Sequence, residues 1–272
     1  MPSAALPARS RVILLGASNL AIGLPHVLSA ARSIIAGPMD VFAAVGRGRS
    51  LGTWSSVFGR SIPGMLQSRL WELLVADRAH QFAGETFALL TDVGNDILYN
   101  VPPVQIIEWT SELIRRLHSL NAKIILALPP IDRINRLNPA TFLLVRTLIY
   151  PRRNINFKTA ISHANQIFNE LQKLADREHV HTVIPSPDWY GIDPVHIRRS
   201  LRARAWQNIL ASWQKSSADS PSANHMLHSF TRLERLRMKF RMPMHWRLFG
   251  INIQNQRPHS YSFAGDSTLR LF

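Results

Sequence analysis

Arg11 to Leu24, RVILLGASNLAIGL, constrains the fold of this chain more than any other stretch. The apolar run Val12-Ile13-Leu14-Leu15 is too brief for a lone helix and has the length of a buried parallel strand. It stops at Gly16-Ala17-Ser18-Asn19 and turns straight into a second apolar segment. A strand that halts at Gly-x-Ser and passes into a helix sets the serine hydroxyl at the carboxyl edge of a sheet, before a helix N-terminus. That edge is where α/β folds bind and transform ligands. Taken alone, Ser18 also reads as a simple N-cap, so the rest of the chain must decide.

The pattern repeats. Met39–Val45 is a second buried strand running into the glycine-spaced loop Gly46-Arg47-Gly48-Arg49-Ser50. An amphipathic helix over 66–79 leads to a third strand, Thr86–Thr91, which ends in Asp92-Val93-Gly94-Asn95-Asp96. A helix over 104–120 carries Ile106, Ile107, Leu113, Ile114 and Leu117 largely on one face. Ala122–Leu128 is a fourth strand, closed by Pro129-Pro130. Helices over 139–149 and 156–178 precede a short strand at His181–Ile184, and the loop Pro185–Ile192 leads to Asp193-Pro194-Val195-His196 and a last helix. The first helix, from Asn19 to about Ser33, is expected to break or kink at Pro25. Strands alternating with helices imply a parallel sheet of about five strands with helices on both faces. The expected organisation is a tail at 1–10, the α/β domain at 11–214, a polar linker at 215–225 and a basic amphipathic extension at 226–272.

Composition removes several classes of function. The chain of 272 residues is 46% hydrophobic, enough for a substantial core. Without cysteine it has no disulfides, no thiolate chemistry and no cysteine-ligated zinc. His179 and His181 lack a third nearby ligand, so neither a metal nor another cofactor is expected. The net charge of +15 favours anionic surroundings, yet the main body of the chain holds no basic run with interleaved aromatics and no helix-turn-helix or zinc-finger spacing that would point to nucleic acid. Twenty uncharged residues separate Arg11 from Arg32, but Gly16, Ser18, Asn19, Gly23, Pro25 and His26 interrupt them as they would not a spanning helix. The expectation is a soluble, cytoplasmic protein with no signal peptide.

In a parallel sheet the strand C-terminal ends share one edge, so Ser18, Gly46 or Gly48, Asn95, Asp193 and His196 converge there although distant in sequence. Each has a plain alternative: glycines for a tight turn, Asn95 as a turn residue, Asp193-Pro194 as a helix start. Together they match what acyl transfer requires. Ser18 as nucleophile needs a base, His196; the base needs a carboxylate, Asp193, to hold its tautomer. The developing oxyanion needs donors in place, here the Ser18 N–H, a glycine N–H (Gly48, with Gly46 as the alternative) and the Asn95 amide.

Over residues 11–213 the chain resembles the SGNH (GDSL-type) hydrolases. The resemblance rests on Gly16-Ala17-Ser18, Gly48 or Gly46, Val93-Gly94-Asn95-Asp96 and the intact Asp193-Pro194-Val195-His196. Ala17 stands where the family has aspartate beside its nucleophile, and Val93 where its third block begins with glycine. The resemblance implies a three-layer flavodoxin-like fold and metal-free hydrolysis of carboxylic esters, acylated small molecules or lipid-like substrates among them. An acyltransferase on the same scaffold, or a non-catalytic binding protein of that fold, are the alternatives.

For substrate, Trp54, Tyr99, Trp189 and Tyr190 lie in edge loops and are candidates for an apolar pocket, while Arg47, Arg49 and Arg133 are candidates to meet an anionic group. The extension carries eight Lys/Arg against three acids over 216–272. Met226, Phe230, Leu233, Leu236 and Phe240 recur at helical spacing, though Leu236, Met238, Phe240 and Met242 also alternate as in a strand. Two readings stay open: the segment folds back over an apolar patch, or it attaches peripherally to an anionic membrane.

Overall fold

The computed structural model describes residues 8–57, 60–76, 84–149, 155–191, 193, 195–215, 245–248, 251–254, 259–263 and 266–272. The amphipathic stretch Met226–Phe240 and the linker residues 216–225 lie outside them. The central sheet is built on β1 (Ser10–Gly16), β2 (Met39–Val45), β5 (Thr86–Leu90), β6 (Ala122–Ala127) and β7 (His181–Val183), all parallel in the order β2-β1-β5-β6-β7. The near-continuous apolar sequences of the first four follow from burial on both faces, whereas β7 is an edge strand, exposed at His181 and half-buried beyond it. Along β1, Ile13 and Leu15 enter one core and Val12 and Leu14 the other. The first core is covered by α2 (Leu70–Ala76), α3 (Pro103–His118) and α6 (Phe157–Arg177); the second by α1 (Ser18–Ile34) and α7 (Arg202–Lys215). This is a three-layer α/β arrangement.

The sheet has seven strands, two more than the sequence suggests. The added pair comes from the far end of the chain. β11 (Ser267–Leu271) runs parallel beside β2, and β10 (His259–Phe263) pairs antiparallel with β11. Leu269 and Leu271 are fully buried in the second core, and the ring of Phe272 stacks on Phe42 at 6.3 Å. The edge of β2 is thereby paired rather than left open. A separate four-stranded antiparallel sheet joins β3 (Ser55–Val57) and β4 (Arg60–Ile62) to β8 (His245–Leu248) and β9 (Ile251–Gln254).

Two local expectations change. Helix α1 passes through Pro25 unbroken to Ile34. Proline removes one main-chain hydrogen bond there, but Leu20, Leu24, Val27, Leu28 and Ala31 on either side of it are fully buried, and that packing holds the helix together. At Gly23 the helix meets α7 so closely that a Cβ would lie 2.1 Å from Trp206 Nε1, which explains a glycine in mid-helix. The segment 66–79 is not one helix but a 3-10 turn, Met65–Gln67, followed by α2. His179 sits in a turn with φ 53 and does not share the strand of His181. Among the described residues the two remaining α-helices, α4 (Ile131–Asn135) and α5 (Pro139–Ile149), follow β6, and no helix there is long and apolar enough to cross a membrane.

Candidate active site

Ser18 is the first residue of α1, and Ala17 occupies the cap position without a side-chain cap of its own. The cap comes from the neighbouring strand. Asp92, two residues past the end of β5, accepts the main-chain N–H of Ala17 at 2.8 Å and of Leu20 at 3.3 Å through Oδ2. A carboxylate at these positions satisfies donors that the helix start leaves over and complements its dipole. Asp92 reaches this position with a left-handed backbone, φ 62. Burial pushes its carboxyl above the usual range, against the pull of its hydrogen bonds and of nearby His196. The Tyr190 hydroxyl is raised as well, by its own burial first and then by the charge of Asp92.

Asn19 ties this corner to the histidine loop. Its Nδ2 donates to Asp92 Oδ1 at 2.9 Å and to the carbonyl of Val195 at 2.9 Å, while its Oδ1 accepts the N–H of Ile197 at 3.0 Å. The residues before and after His196 are both anchored to the residue after Ser18. Within the loop, His196 Nδ1 lies 2.7 Å from Asp193 Oδ2, and Asp193 Oδ1 accepts the N–H groups of Val195 and His196 at 2.9 and 3.2 Å. Burial alone would raise the Asp193 carboxyl; these hydrogen bonds outweigh it and hold it below the usual range. An ionised Asp193 accepts the hydrogen bond that Nδ1–H donates and leaves Nε2 as the basic nitrogen.

The loop after β2 is gripped by the 3-10 helix Val93–Tyr99. Asn95 Nδ2 donates to the carbonyl of Arg49 at 3.1 Å, Asp96 accepts the Ser50 hydroxyl and the Leu51 N–H (2.9 Å), and the Tyr99 hydroxyl donates to the carbonyl of Gly48. Gly48 has φ 68, a conformation that admits glycine without strain. Asp96 is fully buried, and desolvation lifts its carboxyl to about 6 despite the bonds from Ser50 and Leu51.

A cavity of about 160 Å³ opens at this edge. Its polar wall includes Ser18, Asn19, Thr91, Asp92 and Asn95; the remainder is apolar, with Ile97, Leu128, Phe142, Ile161 and Trp206 among the lining residues. Ser18, Asn95 and Tyr190 of the sequence-derived candidates line it. Gly48 is joined to Asn95 through the adjacent Arg49, and Gly46 closes the same turn by accepting the Arg49 N–H at 3.2 Å. Trp54 is half exposed, Tyr99 is buried with its hydroxyl on Gly48, and Trp189 packs partly buried against the second core; none of the three lines the cavity. Of the arginines, Arg49 is buried, and Arg133 donates to the carbonyl of Gly191 at 2.7 Å. Arg202, which donates to the Ile197 carbonyl at 3.1 Å, is lowered by burial and then by the nearby charges of Arg199 and Arg47. Sequence reasoning missed Asn19 and Asp92, although both directly follow strand-end residues of the motifs it used.

No family model and no curated protein matches the chain. Among solved structures, one crystal structure matches over 78% of this chain and 100% of its own, at 15% identity and a TM-score of 0.51. Others include the psychrotrophic esterase EstA from Pseudoalteromonas sp. (13% identity, 78% of this chain and 99% of that one, TM-score 0.44) and AlinE4, an SGNH-hydrolase family esterase (17%, 77% and 95%, TM-score 0.40). A putative lipolytic protein of the G-D-S-L family from Desulfitobacterium hafniense DCB-2 matches at 10% identity over 75% of this chain and 98% of that one, TM-score 0.43. The named neighbours are described as esterases or as members of the SGNH and G-D-S-L families; at 15% identity, what the chain shares with the first structure is its fold.

Proposed function

We propose that the protein is a serine-dependent hydrolase of carboxylic esters that works through an acyl-enzyme. Ser18 Oγ attacks the ester carbonyl as His196 Nε2 takes its proton; the carbonyl electron pair moves to oxygen, which faces the N–H groups of Ser18 and Gly48 and the Asn95 amide. Collapse breaks the ester C–O bond, and His196 returns the proton to the leaving alcohol. Water, deprotonated by His196, then attacks the acyl carbon; the bond to Ser18 Oγ breaks, His196 returns the proton to that oxygen, and the acid leaves. Asp193 orients the imidazole and stabilises its charged form throughout.

The observation that carries this reading is the Asp193–His196 pair at 2.7 Å on a loop that Asn19 fastens on both sides to the Ser18 corner. A merely structural histidine has no need of an acidic partner, a braced loop and a serine at one strand edge. The apolar lining of the cavity suits a hydrocarbon acyl group. The test is turnover of p-nitrophenyl esters of graded acyl length by the parent protein and by Ser18→Ala. Ser18-dependent turnover with a chain-length optimum supports the reading. Turnover that survives Ser18→Ala contradicts it.

A further inference from the structure

Arg49 follows Gly48 directly, yet its side chain points away from solvent and is 1% exposed. The guanidinium donates to main-chain oxygens: to Pro63 through Nε at 3.0 Å, and to Val45 (3.4 Å) and Phe272 through one terminal nitrogen. Phe272 is itself fixed, its N–H on the Ala43 carbonyl at 3.0 Å and its ring against Phe42, as β11 pairs in register with β2. The main chain of Arg49 faces the other way. Its N–H closes the turn onto Gly46 and its carbonyl receives the Asn95 side chain. One residue therefore spans from the last strand of the sheet to the two loops that carry Gly48 and Asn95.

We propose that Arg49 is a positioning residue that makes β11 part of the oxyanion-binding apparatus. The proposal rests on the hydrolase reading above. Fixed by Phe272, Val45 and Pro63, the guanidinium sets where the Arg49 peptide lies; the Gly48 N–H and the Asn95 amide take their places from that peptide. Simple core filling would need none of this directionality, since an apolar side chain of similar volume fills space without carbonyl partners. Because such donors act on the oxyanion and not on the ground-state ester, loosening them lowers kcat and leaves KM nearly unchanged.

The experiment compares the parent protein with Arg49→Lys, with Arg49→Met, with a chain lacking Phe272, which removes that acceptor together with the ring on Phe42 but leaves the arginine in place, and with Arg49→Met combined with that truncation. Each is assayed for kcat and KM on a p-nitrophenyl ester and for affinity toward two inhibitors. A trifluoromethyl ketone adds Ser18 Oγ to its carbonyl carbon, passes the serine proton to His196 and leaves an oxyanion in the hole; the product carboxylate makes no such adduct. Displacement of donors by a fraction of an ångström is expected to cost roughly 10–100-fold in kcat. The ketone should weaken by a similar factor, KM and the carboxylate should stay within about twofold, and the double change should lose no more than Arg49→Met alone. If Arg49→Met fails to fold, Arg49→Lys and the shortened chain decide. Folded variants with unchanged kcat, or parallel weakening of ketone and carboxylate, overturn the positioning role. A parent protein without Ser18-dependent turnover overturns the hydrolase reading first, and this inference with it.

Discussion

Asn19 Nδ2 lies 2.9 Å from Asp92 Oδ1, so the residue beside Ser18 is bound to the end of the neighbouring strand. The same amide group holds the carbonyl before His196 and the N–H after it. Asn19→Ala therefore removes three hydrogen bonds at once and leaves their partners behind, at an expected stability cost of about 1–3 kcal/mol. Turnover should fall more than KM rises, because the histidine loop loses its registration to Ser18. Thermal melting and steady-state kinetics on the same preparation check both; unchanged kcat would show that the loop holds its place without Asn19.

Asp96 supplies a prediction in pH. Its carboxyl is raised to about 6 by burial, against an ordinary value of 3.8, so between those values the folded protein binds more protons than the unfolded chain. Stability then falls as pH rises through that window, and the penalty for this group is complete above about pH 6. Asp96→Asn, which keeps an acceptor for Ser50 or Leu51, should flatten that part of the profile. Urea unfolding at intervals from pH 4 to 7 measures it, and an unaltered slope would assign the effect elsewhere.

On the proposed mechanism Asn95→Ala removes one oxyanion donor and should cost roughly 10²–10³ in kcat with little change in KM. Asp193→Asn should lower kcat by disturbing the histidine tautomer, up to about 10⁴-fold where such a carboxylate is buried and less here, since the Asp193 side chain is 56% exposed. A rise in KM as the main effect of Asn95→Ala would place that amide on the substrate instead.

The cavity makes a prediction about acyl length. Ala164 lies 2% exposed in α6 and lines the apolar wall. Ala164→Phe should shorten the preferred acyl chain while leaving the shortest esters almost unaffected, with a packing cost of about 1–3 kcal/mol. The kcat/KM values across a chain-length series check this. An unchanged optimum would put the acyl group elsewhere.

The parallel core was legible because its four central strands are short apolar runs closed by glycine, aspartate or proline, as at Leu15-Gly16 and Leu128-Pro129. The convergence of Ser18 with Asn95 followed from strand direction alone. Side-chain orientation was not so accessible. Tyr99 and Arg49 stand in edge loops like any pocket residue, and only the folded chain reveals that one grips Gly48 and the other runs back to Phe272. Asn19 and Asp92 are hidden for a similar reason: their bonds cross 72 to 178 positions of sequence. The strand Ser267–Leu271 is five residues long, and its alternating leucines carry too weak a signal until the open edge of β2 is known to need a partner.

Fluorophosphonate labelling followed by peptide mass mapping tests the central claim most directly, because the reagent reports which hydroxyl is activated without requiring the natural substrate. The adduct is expected on Ser18, with labelling abolished in Ser18→Ala and strongly slowed in His196→Ala, and the double variant no slower than Ser18→Ala alone. A parent protein that stays unlabelled while folded, or an adduct on any residue other than Ser18, would contradict the assignment of this strand-end serine as the nucleophile.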